Sequence, residues 1–562
     1  VRRGHPRDGG RGDGSRGADA DPDGPWGGDV TDGAGRSAPS TDELFGTLGT
    51  AAPDAAAGEA AYRVPAHAAG RRSAVRHART TPDGPGPTSG PAGVLAPSRV
   101  DPVVRLASQV IGGPAGRRLA SATGLWRAAS VLTMFAFLVM GLAVLEKQHC
   151  RNEGWTSPDQ FFHLCYSDIP VLYGSAGLGG PDRPGLVDAV AADGALGQPP
   201  LMAALMWTVS AVVPSPTAAD AGRTFLDLSA VLLGGALVVA VGCVAAVAGR
   251  RRWDAAHLAL APVVVTAGLV SYDLFAVALV SAALLAWSRD RVVAAGVLLG
   301  LAVAVRPTLA VVGVVLVAVT LRAGVVGRAG LALAAAAGTY LGVRVVLLPG
   351  WSGQLGTAFD GWRGSTPGYG SIWLAPQLFA QGRPAGAGFW YSGDGLGATS
   401  ATLLSMLGVV AVAVGVVVLA LSTRRRPRTA HLALVAVAGC LLVAKSVPVQ
   451  SSLLLLPFVA WAGLRWRDHL LWASTEALYF VGVWLYIGGL TNTDRAVPAG
   501  GYLLLLLLRL GGIAWLGVQG VRAAVDPLRD PVRLPEDRGP GADDPLGGPA
   551  ADAPDALVVR LA

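Results

Sequence analysis

The chain has 562 residues, of which 52% are hydrophobic and 15% charged, and its mean hydropathy is +0.47. That is too little charge to coat a soluble protein of this size, and apolar stretches of spanning length recur between residues 126 and 521, which places the chain in the polytopic membrane class. The net charge of +7 carries no signal for nucleic acid, because the arginines sit mainly in short loops between apolar runs.

In chain order, residues 1–115 are rich in Gly, Pro, Asp, Arg and Ala, and are expected to form a disordered cytoplasmic tail that cannot bury enough surface to offset chain entropy. No apolar h-region precedes the first span, so no secretory signal is expected. Residues 116–525 form an all-α membrane domain. It is read as about twelve spans, near 126–145, 224–248, 256–272, 273–288, 292–305, 308–321, 329–348, 402–421, 430–447, 451–464, 470–490 and 499–521. Several fall short of the ~20 residues a perpendicular helix needs, as in bundles with broken or tilted helices. The apolar stretch from Pro200 to Val213, about fourteen residues, lies between loops expected on one side and reads as re-entrant or interfacial. Residues 526–562 are expected to be a second disordered cytoplasmic tail.

Arginines set the orientation. Arg117, Arg118 and Arg127 precede the first span, and Arg250–Arg252, Arg289, Arg291, Arg322, Arg328, Arg424–Arg426, Arg465 and Arg467 fill alternate connections. The positive-inside rule puts these, and both termini, in the cytoplasm of a cell-membrane protein. Loops 146–199 and 349–401 are then external, and loop 146–199 carries seven acidic residues against three basic ones. There is no internal repeat of the kind that marks many secondary transporters.

Of four cysteines, Cys243 and Cys440 fall inside spans, whereas Cys150 and Cys165 share the first outer loop, where a disulfide is expected. Closing that loop stabilises by about 3 kcal/mol in the chain-entropy model. A metal site is not expected there, since the cysteine spacing matches no zinc pattern and only His149 and His163 lie nearby.

The same loop offers Asp168, set among Phe161, Phe162, Tyr166, Ile169, Pro170, Leu172 and Tyr173. A carboxylate packed against apolar groups can have a raised pKa, which suits a general base; the competing reading is a solvated loop aspartate. Asp227, Asp273, Arg306, Arg344 and Lys445 lie near the outer ends of spans. Ionisable groups at membrane depth normally face a cavity or a partner. Together they predict an outward cavity, with Arg306, Arg344 and Lys445 available to a phosphate; each singly could snorkel or form a structural ion pair. Trp362, Tyr369, Trp373, Trp390 and Tyr391 in loop 349–401 could stack a sugar or form an interfacial aromatic belt. Lysine occurs twice, at Lys147 and Lys445, in an otherwise arginine-rich chain. Walker A, HExxH, GxSxG and GxGxxG patterns are absent, so no nucleotide or dinucleotide cofactor is expected.

Four segments resemble the actinobacterial glycosyltransferase family 87: CYSDIPVLY; SYDLFAVALVSAALLAW with GVLLGLAVAVRP; PGYGSIWL; and the run from LLLLPFVAW to RWRDHLLWASTEALYFVGVWLYIGG. The resemblance extends over about residues 120–525. It implies a GT-C fold, a polyprenyl-phosphate sugar donor with mannose as the sugar, a lipid or glycan acceptor, and an acidic residue in the first outer loop, where Asp168 matches. Where relatives often read Asn-Trp-Asp, this chain has Ser271-Tyr272-Asp273, and where they read Lys-Leu-Tyr-Pro it has Arg306-Pro307. A Pro-Gln pair near Lys445 becomes Pro448 and Gln450 separated by Val449, and a Glu-Tyr-Pro becomes Gly197-Gln198-Pro199.

The expectation that follows is an inverting membrane glycosyltransferase, with mannose the expected sugar, Asp168 as base and Asp273 as its rival. The alternatives are a multispan transporter or lipid-linked sugar flippase, disfavoured by the missing repeat, and a catalytically inactive scaffold. Reporter fusions test the orientation: those after Arg252 and Arg426 should report cytoplasm and those near Gly386 the exterior. The opposite pattern would overturn the outward cavity.

Overall fold

The computed structural model describes residue 103 and residues 125–191, 194–214, 220–348, 351–381, 396–533 and 543–559; Trp390 and Tyr391 lie outside them. Among the described residues every regular element is helical. Six helices among the described residues are long and apolar enough to cross a membrane: α1 (Leu125–Glu146, apolar from Ala128), α2 (Ala221–Val247), α3 (Val326–Leu347), α4 (Ala398–Ser422), α5 (Trp466–Gly489) and α6 (Ala499–Val525). About twelve spans, several of them short, are expected from the sequence, and that count is not reached by these six alone. The remaining apolar stretches form shorter helices, namely Pro200–Ser210, Asp273–Ser288, Val292–Val305, Pro307–Arg322, Thr429–Val443 and Val449–Ala462. At 1.5 Å per residue the 14 residues of Val292–Val305 reach about 21 Å, short of a ~30 Å hydrocarbon layer. The expected span 256–272 is broken into Ala256–Ala259 and Pro262–Ala267, because Pro262 has no N–H to continue a helix and Ala261 is extended.

Burial sorts the long helices. The apolar window of α2 is 61% buried, against 17% in α3 and α4, so α2 is central while α3 and α4 present most of their surface outward. α3 nonetheless packs closely along Val292–Val305. A methyl group at Gly296 or Gly300 would collide with the carbonyl oxygens of Ala332 and Ala336. Small residues four apart let two backbones approach, which favours helix association where apolar burial supplies no drive. Both contacts advance together, so the helices run parallel. In that register Arg344 lies two turns beyond Ala336, past Val305 at the end of Val292–Val305 and so toward the break that holds Arg306.

The bundle has two chemically distinct ends. Asp273 begins helix Asp273–Ser288, and Trp287 lies in its last turn. The Trp287 end is covered by the C-terminal segment, whose Gly548 lies against Trp287. A disordered tail is expected from residue 526, but the described segments 526–533 and 543–559 pack onto the arginine-bearing connections. Asp530 binds the buried Arg428 guanidinium through two oxygens (2.7 and 2.9 Å), and Asp555 pairs with Arg322 at 2.8 Å. Asp544 accepts from Thr429 N and Oγ1, both at 2.8 Å, while Asp543 meets Arg425 at 2.6 Å. The tail is ordered there because its carboxylates complement arginines that the helix ends bring together.

At the Asp273 end, backbone irregularity is compensated by side chains. Between Val443 and Val449 the chain leaves the helix, and its carbonyls need donors, since hydrocarbon supplies none. Trp373 Nε1 donates to Val443 O (2.9 Å), Ser371 Oγ to Ala444 O (2.8 Å) and Gly368 N to Lys445 O (2.9 Å). Arg509 of α6 donates to Val447 O (2.6 Å), Pro448 O (3.0 Å) and Ser452 Oγ (3.0 Å). Glu476 of α5 balances Arg509 at 2.9 Å and accepts from Trp472 Nε1 at 3.1 Å. Gly370 sits at φ +80°, and a side chain there would strike Val447 O and Arg509.

Arg509 therefore joins α5, α6 and the broken segment. Arg509→Met should destabilise by about 3–5 kcal/mol, because it strands a buried carboxylate and two carbonyls. Thermal melting in detergent should show a large fall, partly restored when Glu476 is also made apolar. An unchanged melt would remove Arg509 from this role.

Candidate functional site

The first loop is built around two covalent and electrostatic anchors. Cys150 and Cys165 are joined by a disulfide, with Cα atoms 5.8 Å apart. Arg151 binds Asp227 through both oxygens (3.0 and 2.7 Å), tying the loop to the start of α2. Asp227, expected to line a cavity, is thus engaged with the loop.

Lys147 lies just before this staple and is fully buried. Its ammonium donates to Tyr166 O at 2.9 Å and pairs with Glu146 at 2.8 Å. In the sequence, the signal for Lys147 is its rarity as one of two lysines in an arginine-rich chain.

Asp168 opens helix Asp168–Ser175, where Ser167 caps the first turn by accepting from Ile169 N at 3.2 Å. The Ser167 hydroxyl donates to Leu269 O (2.6 Å), and Asp168 N donates to Val270 O (2.9 Å). These bonds seat Asp168 on the turn that leads into Asp273. Its half-buried carboxylate accepts from Tyr166 Oη at 2.8 Å and from Gln450 Nε2 at 3.3 Å. Burial pushes the Asp168 pKa above the usual carboxylate range. The Tyr166 hydrogen bond and the charges of Arg306 and Lys147 pull the other way, and Asp273 adds to the rise. Burial also holds the Tyr166 phenol in its protonated form, so that bond runs from tyrosine to carboxylate.

Asp273 is completely buried. Arg306 grips both its oxygens through Nε and Nη2, and Ser271 Oγ donates to one of them. Arg306 is extended between Val292–Val305 and the turn Pro307–Ala310, so the proline break aims its side chain at Asp273. Two of the five groups expected to serve chemistry directly, Asp273 and Arg306, are therefore engaged with each other.

The other cations differ. Lys445 donates to Trp362 O (2.7 Å), Arg363 O (3.1 Å) and Thr402 Oγ1 (2.7 Å), which uses all three of its N–H groups. It clips helix Trp351–Gly364 to α4. Arg344 is buried; its Nη1 donates to Tyr340 Oη at 3.1 Å, and its Nε has no hydrogen-bond partner among the described residues.

The aromatic residues also divide. Trp373 has its indole N–H committed to Val443. Tyr369 is 38% exposed and sits edge-on to Tyr486 and Tyr502, whose rings stack at 4.4 Å. Trp362 is equally exposed, with the Lys445 ammonium 5.4 Å from its ring centre. A second aromatic group surrounds Tyr166, which meets Trp484 at 4.6 Å and Phe161 at 5.2 Å. Gln450, Trp484 and Tyr486 were not expected at the site; they come from elements far along the chain.

Residues 198–445 match the model of glycosyltransferase family 87. Together with the apolar helices, the match indicates a membrane glycosyltransferase. It spans just under half of the chain and includes Asp273, Arg306, Arg344, Trp362, Tyr369, Trp373 and Lys445, but stops short of Asp168 on one side and Gln450 on the other. No curated protein and no solved structure matches.

Proposed function

We propose that the protein transfers a sugar, with mannose the first to test, from a polyprenyl-phosphate donor to an acceptor hydroxyl at the outer face of the cytoplasmic membrane. The observation that carries this reading is the Asp168 carboxylate, half-buried and oriented by Tyr166 and Gln450 beside the Asp273–Arg306 pair. The arginine-bearing connections gather at the opposite end, which supports an outward-facing Asp168.

In this reading the acceptor oxygen attacks the anomeric carbon from the face opposite the phosphate. Its proton passes to Asp168, the carbon–oxygen bond to phosphate breaks, and polyprenyl phosphate leaves with the electron pair, inverting the anomeric centre. Asp168 is favoured over Asp273 because Asp273 is fully buried and accepts three charge-assisted or hydroxyl bonds, which leaves it no path to a substrate. Asp273 and Arg306 are positioning residues. Arg344 is the cation best disposed for the donor phosphate: its charge has no acidic partner among the described residues, and it lies toward the Arg306 end of Val292–Val305 in the helix register. Tyr369 and Trp362 offer the exposed aromatic surface for a sugar.

A positioned base contributes about 10²–10⁴-fold. Asp168→Asn should therefore lower transfer of labelled sugar in isolated membranes by at least that range, with donor binding retained, whereas Arg344→Ala should act mainly through donor KM. Near-normal turnover in Asp168→Asn would assign the base elsewhere.

The electrostatics also set a pH signature. Asp168 must be ionised to accept a proton, so activity rises as pH climbs through its raised pKa. Tyr166→Phe removes an interaction that lowers that pKa. The acid limb of the kcat/KM profile should move to higher pH, and a limb that stays in place would separate the profile from Asp168.

A further inference from the structure

The first loop brings three metal-ligating side chains together at a place the glycosyl-transfer chemistry does not use. His149 lies in helix Gln148–Glu153, one residue before the disulfide; Asp159 begins the turn Asp159–Phe162, and His163 closes it. His149 Nε2 is 2.7 Å from Asp159 Oδ2, and His163 Nδ1 is 3.0 Å from Oδ1. The two imidazoles stack with centres 3.5 Å apart. One ligand atom from each residue lies within 4.8 Å of the others.

We propose that His149, Asp159 and His163 bind one divalent transition-metal ion of the zinc class. Tetrahedral coordination at 2.0–2.1 Å separates neighbouring ligand atoms by about 3.3 Å, which here requires the separations to change by tenths of an ångström to about 1.5 Å. Two imidazoles and a carboxylate select Zn²⁺, Co²⁺ or Ni²⁺ over Mg²⁺ or Ca²⁺, which prefer oxygen-only shells. The three side chains are 35–44% exposed, so the ion has an entry path and a remaining position for water. The Cys150–Cys165 bridge holds the two histidine-bearing strands of the loop in register without the ion, which lowers the ordering cost of binding.

A second feature separates this arrangement from a surface ion pair. One carboxylate is shared by two face-stacked imidazoles, one on each of its oxygens, so the three side chains already converge on one volume from two separate turns of the loop. The ion would also brace the turn that carries Phe161, whose ring stacks on Tyr166, the hydrogen-bond donor to Asp168. Its place is that of a structural clamp behind the site, since none of its ligands touches Asp168.

The test uses the full chain in detergent, carrying an affinity tag without histidine and stripped with chelator. Co²⁺ titration should produce visible d–d absorption saturating at one ion per chain and displaced by Zn²⁺. His163→Gln and Asp159→Asn should each weaken Co²⁺ by at least about tenfold, with an unchanged gel-filtration profile showing that they fold. His149→Gln should behave alike. No Co²⁺ spectrum in the parent protein, or binding equally tight in all three variants, would overturn the proposal. The readout is optical and independent of sugar transfer, so it stands or falls apart from the catalytic reading.

Discussion

The buried ion pair between Arg306 and Asp273 is the constraint around which this end of the bundle is arranged. Neither charge could be held at membrane depth alone, because an unpaired ion there costs several kcal/mol and would be expelled or neutralised. The bidentate contact, completed by Ser271, answers that cost but demands that two helical breaks face one another. One break precedes Asp273; the other is the extended Arg306 before Pro307. The pair therefore fixes how two helical hairpins meet, and the turn it stabilises offers Leu269 and Val270 carbonyls on which the first loop docks. The position of Asp168 is a consequence of that docking.

A second condition follows from the breaks themselves. Chain that leaves the helix in an apolar medium must find partners for its carbonyls. The stretch 443–448 finds them in the segment 368–373 and in Arg509, whose own charge is balanced by Glu476. Gln450 emerges from the same stretch to reach Asp168. Residues that look like candidates for sugar contact or phosphate binding, Trp373 and Lys445 among them, thus have donors committed to backbone. Function and scaffold compete for the same polar groups, and the irregular backbone takes most of them. Arg344, on an exposed helix of small residues, escapes that demand.

The opposite end shows the same rule with a different outcome. There the arginines are met by the carboxylates of the C-terminal segment, so a stretch with too little apolar content to fold alone is ordered by charge pairing on a preformed surface.

Much of the architecture was legible in the chain because a bilayer reads sequence locally. Hydrophobicity over a window of about twenty residues decides whether a stretch is apolar enough to enter, and the windows at α1, α2 and α6 needed no tertiary information. The candidate charges were legible for the same reason, since an Asp or Arg at a span end is conspicuous against apolar neighbours. Cys150 and Cys165 were legible as a pair through their shared loop. What those residues meet was not. That Arg306 takes Asp273, that Lys445 closes on three neutral oxygens, and that Gln450 reaches Asp168 depends on which helix ends the fold brings into contact. Pairings separated by tens to hundreds of residues leave no local pattern. The sequence by itself determined the solvent, the apolar segments and the list of polar groups that must be satisfied; the tertiary structure alone decided their partners, because in a medium without water a polar group must find its partner in whatever the packed bundle places beside it.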